Sequence, residues 1–327
     1  MKAARLLSAA LRDPASTRAL DGEGWTALLT AAKPERLLGT LAHRLAGEDL
    51  RPDVAAILDD ARREAEHART AALWEAEMAR RALEPLGIRT VLLKGTAYAA
   101  TGLEAAHGRT IGDLDILVPR DRLADAEAAL LAAGWEHIKA SDYDQRYYRE
   151  WMHELPPLIH RDRDRMIDVH HTILPLTHRA RPDAFAMLGA AEPVGGGLHV
   201  LDRPDLVVHA AAHCLADGDM AGGLRNLWDV HLLSRGMAVA PLLARAEWHG
   251  LLPVVARALR LADHLYDGGP ARRGDLPYLR RVLARDGWGR ARRPGTRLAF
   301  TVREHCMRMP PLMLARHLWT KARAPRA

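Results

Sequence analysis

The sequence predicts an α+β fold, a small mixed β-sheet core flanked by N-terminal and C-terminal helical segments. Three observations carry this. Two short β-branched and aliphatic runs, Ile88 to Leu93 and Leu114 to Val118, have strand length and stand next to turn residues. Ala55, Ile57, Leu58, Ala65, Ala72 and Leu73 form one apolar stripe of a long helix. From Pro204 onward the periodicity is helical, over roughly 204–216, 222–235, 240–248 and 252–266.

Taken in order, residues 1–50 read as short helices broken at Pro14, Gly22, Gly24 and Pro34. Asp53 is an N-cap for the long helix, which ends near Leu83, before Pro85 and Gly87. The first strand follows at once and runs into Lys94-Gly95-Thr96, a small-residue turn, and then into helix-favouring Ala97 to Ala100. Pro119 stops the second strand from pairing further, and Asp121 caps a helix through Leu123, Ala126, Leu130 and Leu131 that ends at Gly134. Trp135 to Lys139 reads as a strand. His153 to His160 and Arg165 to Leu174 read as a hairpin across the polar turn Arg161-Asp162-Arg163-Asp164, and Leu198 to Leu201 as a last short strand. Gly268-Gly269-Pro270 breaks the helical run before a C-terminal helical part. The expected division is an N-terminal helical segment over 1–86, a core over 87–202 and a C-terminal helical domain over 203–327.

The most informative run is Thr110-Ile111-Gly112-Asp113-Leu114-Asp115-Ile116-Leu117-Val118. In a strand, side chains at i and i+2 share a face, so Asp113 and Asp115 lie side by side while Leu114 and Ile116 face a core. Two same-face carboxylates repel one another, and a hard cation such as Mg²⁺, with Mn²⁺ as a substitute, is their natural partner. In an enzyme this arrangement suits metal-assisted transfer of a phosphoryl or nucleotidyl group. Upstream, strand, turn and helix put backbone N–H groups where a phosphate can sit. Lys94 adds a point charge there and Thr96 a hydroxyl. Lys94 is alternatively a strand-end surface lysine. Arg109 either meets triphosphate charge with its planar fork or pairs with Asp113 or Asp115.

Composition sets bounds. A chain of 327 residues with 48% hydrophobic residues has room for about two domains and a sizeable core. Cys214 and Cys306 stand far apart and outside any C-x-x-C, so neither a disulfide framework nor a zinc knuckle is expected. The N-terminal stretch is interrupted by Arg12 and Asp13 before any long apolar run forms. The expectation is therefore no signal peptide, no membrane span and a cytoplasmic protein. The net charge of +6 is spread along the chain and rests on Arg, with only five Lys. That spread argues against a nucleic-acid partner. The densest basic stretch (Arg272-Arg273, Arg280-Arg281, Arg290, Arg292-Arg293) and the tail at Lys321, Arg323 and Arg326 read as a solvated face or a flexible tail rather than a binding groove.

Leu93-Lys94-Gly95, then Arg109, then Gly112-Asp113-Leu114-Asp115-Ile116-Leu117-Val118 resembles the uncharacterised branch of the polymerase-β-like nucleotidyltransferases. Residues 80–235 carry the resemblance, including Pro204-Asp205-Leu206-Val207-Val208-His209, His213 and Leu224-Arg225-Asn226-Leu227-Trp228-Asp229. It implies a third carboxylate on a later, adjacent strand, matched here by Asp168 in Met166-Ile167-Asp168-Val169-His170-His171. Asp113, Asp115 and Asp168 would then be both catalytic and metal-binding, while Lys94, Gly95, Thr96 and Arg109 would bind the nucleotide. It also implies that the helix of Arg225 faces the cleft, which would give Arg225 a nucleotide contact. Asp168 is otherwise a surface partner of Arg165 or Arg161. Arg225 and Asp229, at i and i+4, are otherwise an exposed helical pair. The superfamily usually has Gly-Ser or Gly-Gly at the turn, where this chain has Lys94-Gly95-Thr96.

The implied activity is Mg²⁺-dependent transfer of a nucleotidyl group from a nucleoside triphosphate to a hydroxyl of a small molecule, peptide or protein. A different register of the triphosphate over the same metals gives phosphoryl, kinase-like transfer. A non-catalytic nucleotide-binding module and an RNA-modifying enzyme are the rival classes. His209 and His213, at i and i+4, have zinc-compatible spacing but lack the Glu of His-Glu-x-x-His, so helix packing is the simpler reading.

Overall fold

A computed structural model gives the architecture and describes residues 2–138, 142–286, 290, 292–310, 312–315 and 319. The helices α1 (Lys2–Arg12), α2 (Gly22–Ala32) and α3 (Leu38–Arg44) precede the long α4 (Pro52–Leu83). The start of α4 differs from the expected Asp53 cap. Pro52 is the first helical residue, favoured there because its missing N–H would go unpaired anyway, and Asp53 lies in the first turn, accepting from Arg51. The apolar stripe of Val54, Leu58, Ala65, Ala72, Ala76 and Ala79 is buried.

The mixed sheet holds seven strands among the described residues: β1 (Thr90–Leu92), β2 (Leu114–Leu117), β3 (Trp135–His137), β4 (Leu158–His160), β5 (Met166–His170), β6 (Glu192–Gly195) and β7 (Leu198–Val200). Their order is β3-β4-β5-β2-β1-β7-β6. β1 runs antiparallel to β2 and parallel to β7, while β2 runs parallel to β5. β2, fully buried along its length, therefore lies near the middle of the sheet, which accounts for its unbroken apolar character apart from Asp115. The turn Arg161 to Asp164 closes the β4–β5 hairpin as expected, with His160 N donating to Arg165 O. Edge strand β6 was not anticipated, since Glu-Pro-Val-Gly carries two strand breakers. The expected strand at Trp135 to Lys139 is seen through His137, and Lys139 lies outside the described residues.

Helix α5 (Lys94–Ala100) follows β1, α6 (Leu123–Ala132) follows β2, and α7 (Asp142–Trp151) and α8 (Ala184–Gly189) flank the hairpin. Asp121 does not cap α6 directly: a short 3₁₀ turn over Arg120–Arg122 intervenes. After the sheet come α9 (Arg203–Leu215), α10 (Gly223–Ser234), α11 (Val239–Trp248), α12 (Leu252–Tyr266), α13 (Leu276–Leu283) and α14 (Pro294–Arg308). α9, α10 and α12 pack on one another, α11 lies against α9 and α12, and α5 touches α9. One contiguous apolar core takes in side chains from Leu7 in α1, Leu92 in β1, Val208 in α9 and Phe300 in α14. Among the described residues no helix is long and apolar enough to cross a membrane. Within the basic stretch Arg281 is buried and donates to Asp219, so it belongs to the packing rather than to a solvated face. The tail residues Lys321, Arg323 and Arg326 lie outside the described residues.

Candidate active site

β2 and β5 pair in parallel with Asp115 opposite Asp168 and Leu117 opposite His170. Neighbouring strands lie about 4.8 Å apart, so this register alone puts the two carboxylates together on one face. Asp113 sits one residue before β2, half-buried. Oxygens of Asp113, Asp115 and Asp168 all lie within 4.8 Å of one another. The three carboxylates that the sequence singled out thus converge. Asp168 forms no ion pair with Arg161 or Arg165 among the described residues, where Arg161 faces Asp162 instead. Asp168 Oδ1 is buried and has no hydrogen-bond partner among the described residues.

Asp115, buried, accepts from Lys94 Nζ at 2.5 Å and from His170 Nε2 at 3.0 Å. Burial opposes the charge on Lys94, but the Asp115 carboxylate more than offsets it, so the ammonium is held above its ordinary pKa. The Asp168 carboxyl is pushed up to about 7 by burial, with Asp115 and Asp113 adding to the shift and Lys94 opposing it. The donor set fits a hard divalent cation: three carboxylates share one face, and one of them holds a buried, unpaired oxygen.

Lys94 reaches Asp115 because its backbone is wound tightly at the strand-to-helix junction. Leu93 N donates to Asp115 O, and Lys94 then takes a φ of +47°, the left-handed region that a non-glycine residue enters only at a cost. The expected turn over Lys94 to Thr96 is instead the first turn of α5. Gly95 is required by packing: a Cβ there would sit 2.7 Å from Arg109 Nε. Arg109 in turn lies over the Tyr98 ring, 5.5 Å from its centroid, and pairs with Asp229 rather than with Asp113 or Asp115. The loop carrying it is pressed against α3, since a Cβ on Gly108 (φ +64°) would meet Gly39 O at 2.1 Å.

Two assignments need correction. Thr96 is 1% exposed, part of the inner face of α5 rather than an open turn. Arg225 is buried too, its Nη2 donating to Arg36 O at 2.7 Å and Thr40 Oγ1 at 2.5 Å, with Nη1 3.5 Å from Asp229 Oδ1. Arg225 and Asp229 are therefore a buried pair that braces Arg109 from behind, not an exposed helical pair. Burial pushes the Arg225 guanidinium down to about 10.

The structure adds Glu154 and His153, which the sequence reading passed over, to His170. Glu154 bridges to His170 outside any named strand, and its Oε2 lies 3.4 Å from His170 Nε2 and 3.6 Å from His153 Nε2. Burial pushes Glu154 up to about 8, helped by Asp168 and opposed by Lys94. Burial holds His153 and His170 well below the ordinary imidazole pKa, so both rings are neutral near neutrality. His209 and His213 join neither this group nor the aspartates, and burial takes His209 down to about 3. The one available signal for Glu154 was its place next to His153 in the segment His153 to His160, which also carries Pro156 and Pro157.

A family model described as an uncharacterised nucleotidyltransferase matches residues 21–267, from α2 to the end of α12. No curated protein matches the chain.

Proposed function

Since the chain belongs to that family of uncharacterised nucleotidyltransferases, we propose that it is a Mg²⁺-dependent enzyme passing a nucleotidyl group from a nucleoside triphosphate to a hydroxyl. The acceptor is a small molecule, a peptide or a protein. The observation that carries the reading is the cluster of Asp113, Asp115 and Asp168 oxygens within 4.8 Å, with Asp168 Oδ1 buried and unpaired. These three would hold Mg²⁺, for which Mn²⁺ can stand in, and bound metal supplies charge neutralisation to the triphosphate.

The chain's own groups account for the rest. Lys94, whose ammonium serves Asp115, turns toward the phosphates when they arrive. Arg109, half-buried and fixed by Asp229, adds a second positive charge with its orientation already set. Asp168, on the same face as the other two carboxylates, would help to take the acceptor's proton. Thr96 and Arg225 act from behind, through packing. Incubation with each nucleoside triphosphate, labelled at the α- or γ-phosphate, tests this. Transfer of α-label with release of pyrophosphate is expected. Transfer of γ-label would make the enzyme a kinase, and no transfer of either would make it a binding module.

A further inference from the structure

We propose that His153, Glu154 and His170 form a binding site for one divalent transition-metal ion of the Zn²⁺ class, beside the three aspartates and touching them at His170.

The argument starts from His153. It is 6% exposed, yet its imidazole makes no hydrogen bond among the described residues: Nδ1 has no partner, and Nε2 faces Glu154 Oε2 at 3.6 Å and Asp217 Oδ2 at 3.7 Å. Those separations are too long for good hydrogen bonds. They do match the spacing between ligands of one tetrahedral ion. Bonds of about 2.0–2.2 Å to nitrogen and oxygen place neighbouring ligand atoms about 3.3–3.6 Å apart. The third separation, Glu154 Oε2 to His170 Nε2, is 3.4 Å. Ligand atoms of His153, Glu154 and His170 all lie within 4.8 Å of one another.

Asp217 stands beside this trio, on the His153 side. Arg308 Nε donates to Asp217 Oδ1 at 3.1 Å, which leaves Oδ2 on the His153 side. The Glu154 carboxylate and two neutral imidazoles, with Asp217 nearby, suit a doubly charged ion, which would relieve the cost of burying both carboxylates. Imidazole nitrogen selects Zn²⁺ and its neighbours over Mg²⁺, so the two sites would hold different metals. His170 joins them. Its Nε2 now donates to Asp115, and binding an ion there would move that nitrogen's proton to Nδ1 and take a hydrogen bond away from Asp115.

The test uses the full chain stripped of metal by a chelator, without nucleotide, so it stands or falls apart from the transferase reading. Zn²⁺ is titrated against a chromophoric chelator in excess Mg²⁺, and Co²⁺ is added separately as a spectroscopic probe. One equivalent of Zn²⁺ should bind despite the Mg²⁺, and Co²⁺ should give the intense visible bands of a four-coordinate site. His153→Ala and the shape-preserving Glu154→Gln should each weaken Zn²⁺ by about 100-fold or more, at or beyond the upper end for losing a group that merely supports a ligand. Asp113→Asn should leave Zn²⁺ affinity unchanged. No stoichiometric uptake in excess Mg²⁺ would overturn the proposal, as would native affinity in Glu154→Gln. Loss of Zn²⁺ in Asp113→Asn with retention in Glu154→Gln would put the ion on the aspartates and also overturn it. Should His153→Ala fail to fold by circular dichroism, Glu154→Gln decides.

Discussion

Lys94 Nζ lies 2.5 Å from Asp115 Oδ1, in a pair whose side chains are 23% and 4% exposed. A positive charge thus already rests against the most buried of the three aspartates, and a metal ion arriving at Asp115 must share or replace it. On the function proposed above, the lysine would serve Asp115 first and the phosphates of an arriving nucleotide afterwards.

That double role fixes the first prediction. Lys94→Ala removes a competitor for Asp115, so Mg²⁺ measured without nucleotide should bind more tightly than to the native protein. The same variant loses a phosphate contact made in ground and transition states alike, so KM for the nucleoside triphosphate should rise more than kcat falls. Calorimetry and steady-state kinetics check the two halves. Weaker Mg²⁺ binding in the variant would show that Lys94 positions Asp115 for the metal rather than competing with it.

Asp168→Asn is the second. Neutralising a carboxyl that burial and two neighbouring aspartates already disfavour should leave the melting temperature unchanged or higher, while transfer is abolished. Asp113→Asn and Asp115→Asn should also abolish transfer. Differential scanning calorimetry alongside the transfer assay reads both effects. Near-normal turnover in Asp168→Asn would remove it from the site.

How much of this was legible in the sequence can be argued residue by residue. Asp113 and Asp115 were readable because period-two alternation beside a β-branched run fixes their common face. Asp168 entered through the family resemblance, and the parallel register opposite Asp115 then placed it. Glu154 was not readable. A plain hairpin about Arg161 to Asp164 pairs Leu158 with Ile167, as observed, and would carry on to set Glu154 opposite His171. Glu154 instead faces His170. The register slips by one residue across Pro156-Pro157, which cannot donate ladder hydrogen bonds, and a slip of one moves every later side chain to the other face. Arg225 failed for a different reason: spacing at i and i+4 identifies a pair but cannot say whether it is buried. Its partners Arg36 and Thr40 lie nearly two hundred residues away in sequence.

The buried network gives the third prediction. Asp229 accepts from Arg109 and Arg225 and is 3% exposed, so Asp229→Asn leaves two guanidinium groups short of a counter-charge and should cost about 3–5 kcal/mol in urea unfolding. Arg225→Ala should cost a similar amount. If Arg225→Ala kept native stability and lost only nucleotide affinity, its place behind Arg109 would be wrong.

The fourth concerns pH. Burial would raise the Asp205 carboxyl, but Arg245 and His249 bind it as carboxylate and hold its pKa below the ordinary value. A depressed carboxyl pKa contributes stability that is fully present above the unfolded value of about 3.9 and is lost as pH falls through the lower folded value. Asp205→Asn should therefore cost about 3 kcal/mol near neutrality. Its deficit relative to the native chain should shrink at about pH 3. Urea midpoints of the two chains at both pH values report the difference directly. A deficit that grows on acidification would mean that Asp205 is protonated in the fold.

The last prediction removes the metal. Oxygen ligands from Asp113, Asp115 and Asp168, with no sulfur among them, select Mg²⁺ or Mn²⁺. Without a cation the same three carboxylates repel a triphosphate, and Lys94 is held by Asp115. Nucleotide affinity measured by calorimetry should therefore fall sharply in EDTA and return with Mg²⁺ or Mn²⁺. Zn²⁺ at one equivalent should not restore it, because the histidine-bearing group lies beside the aspartates and takes that ion first. Native affinity in EDTA would mean that the chain grips the nucleotide through its own cations alone. The aspartate cluster would then have no part in binding it.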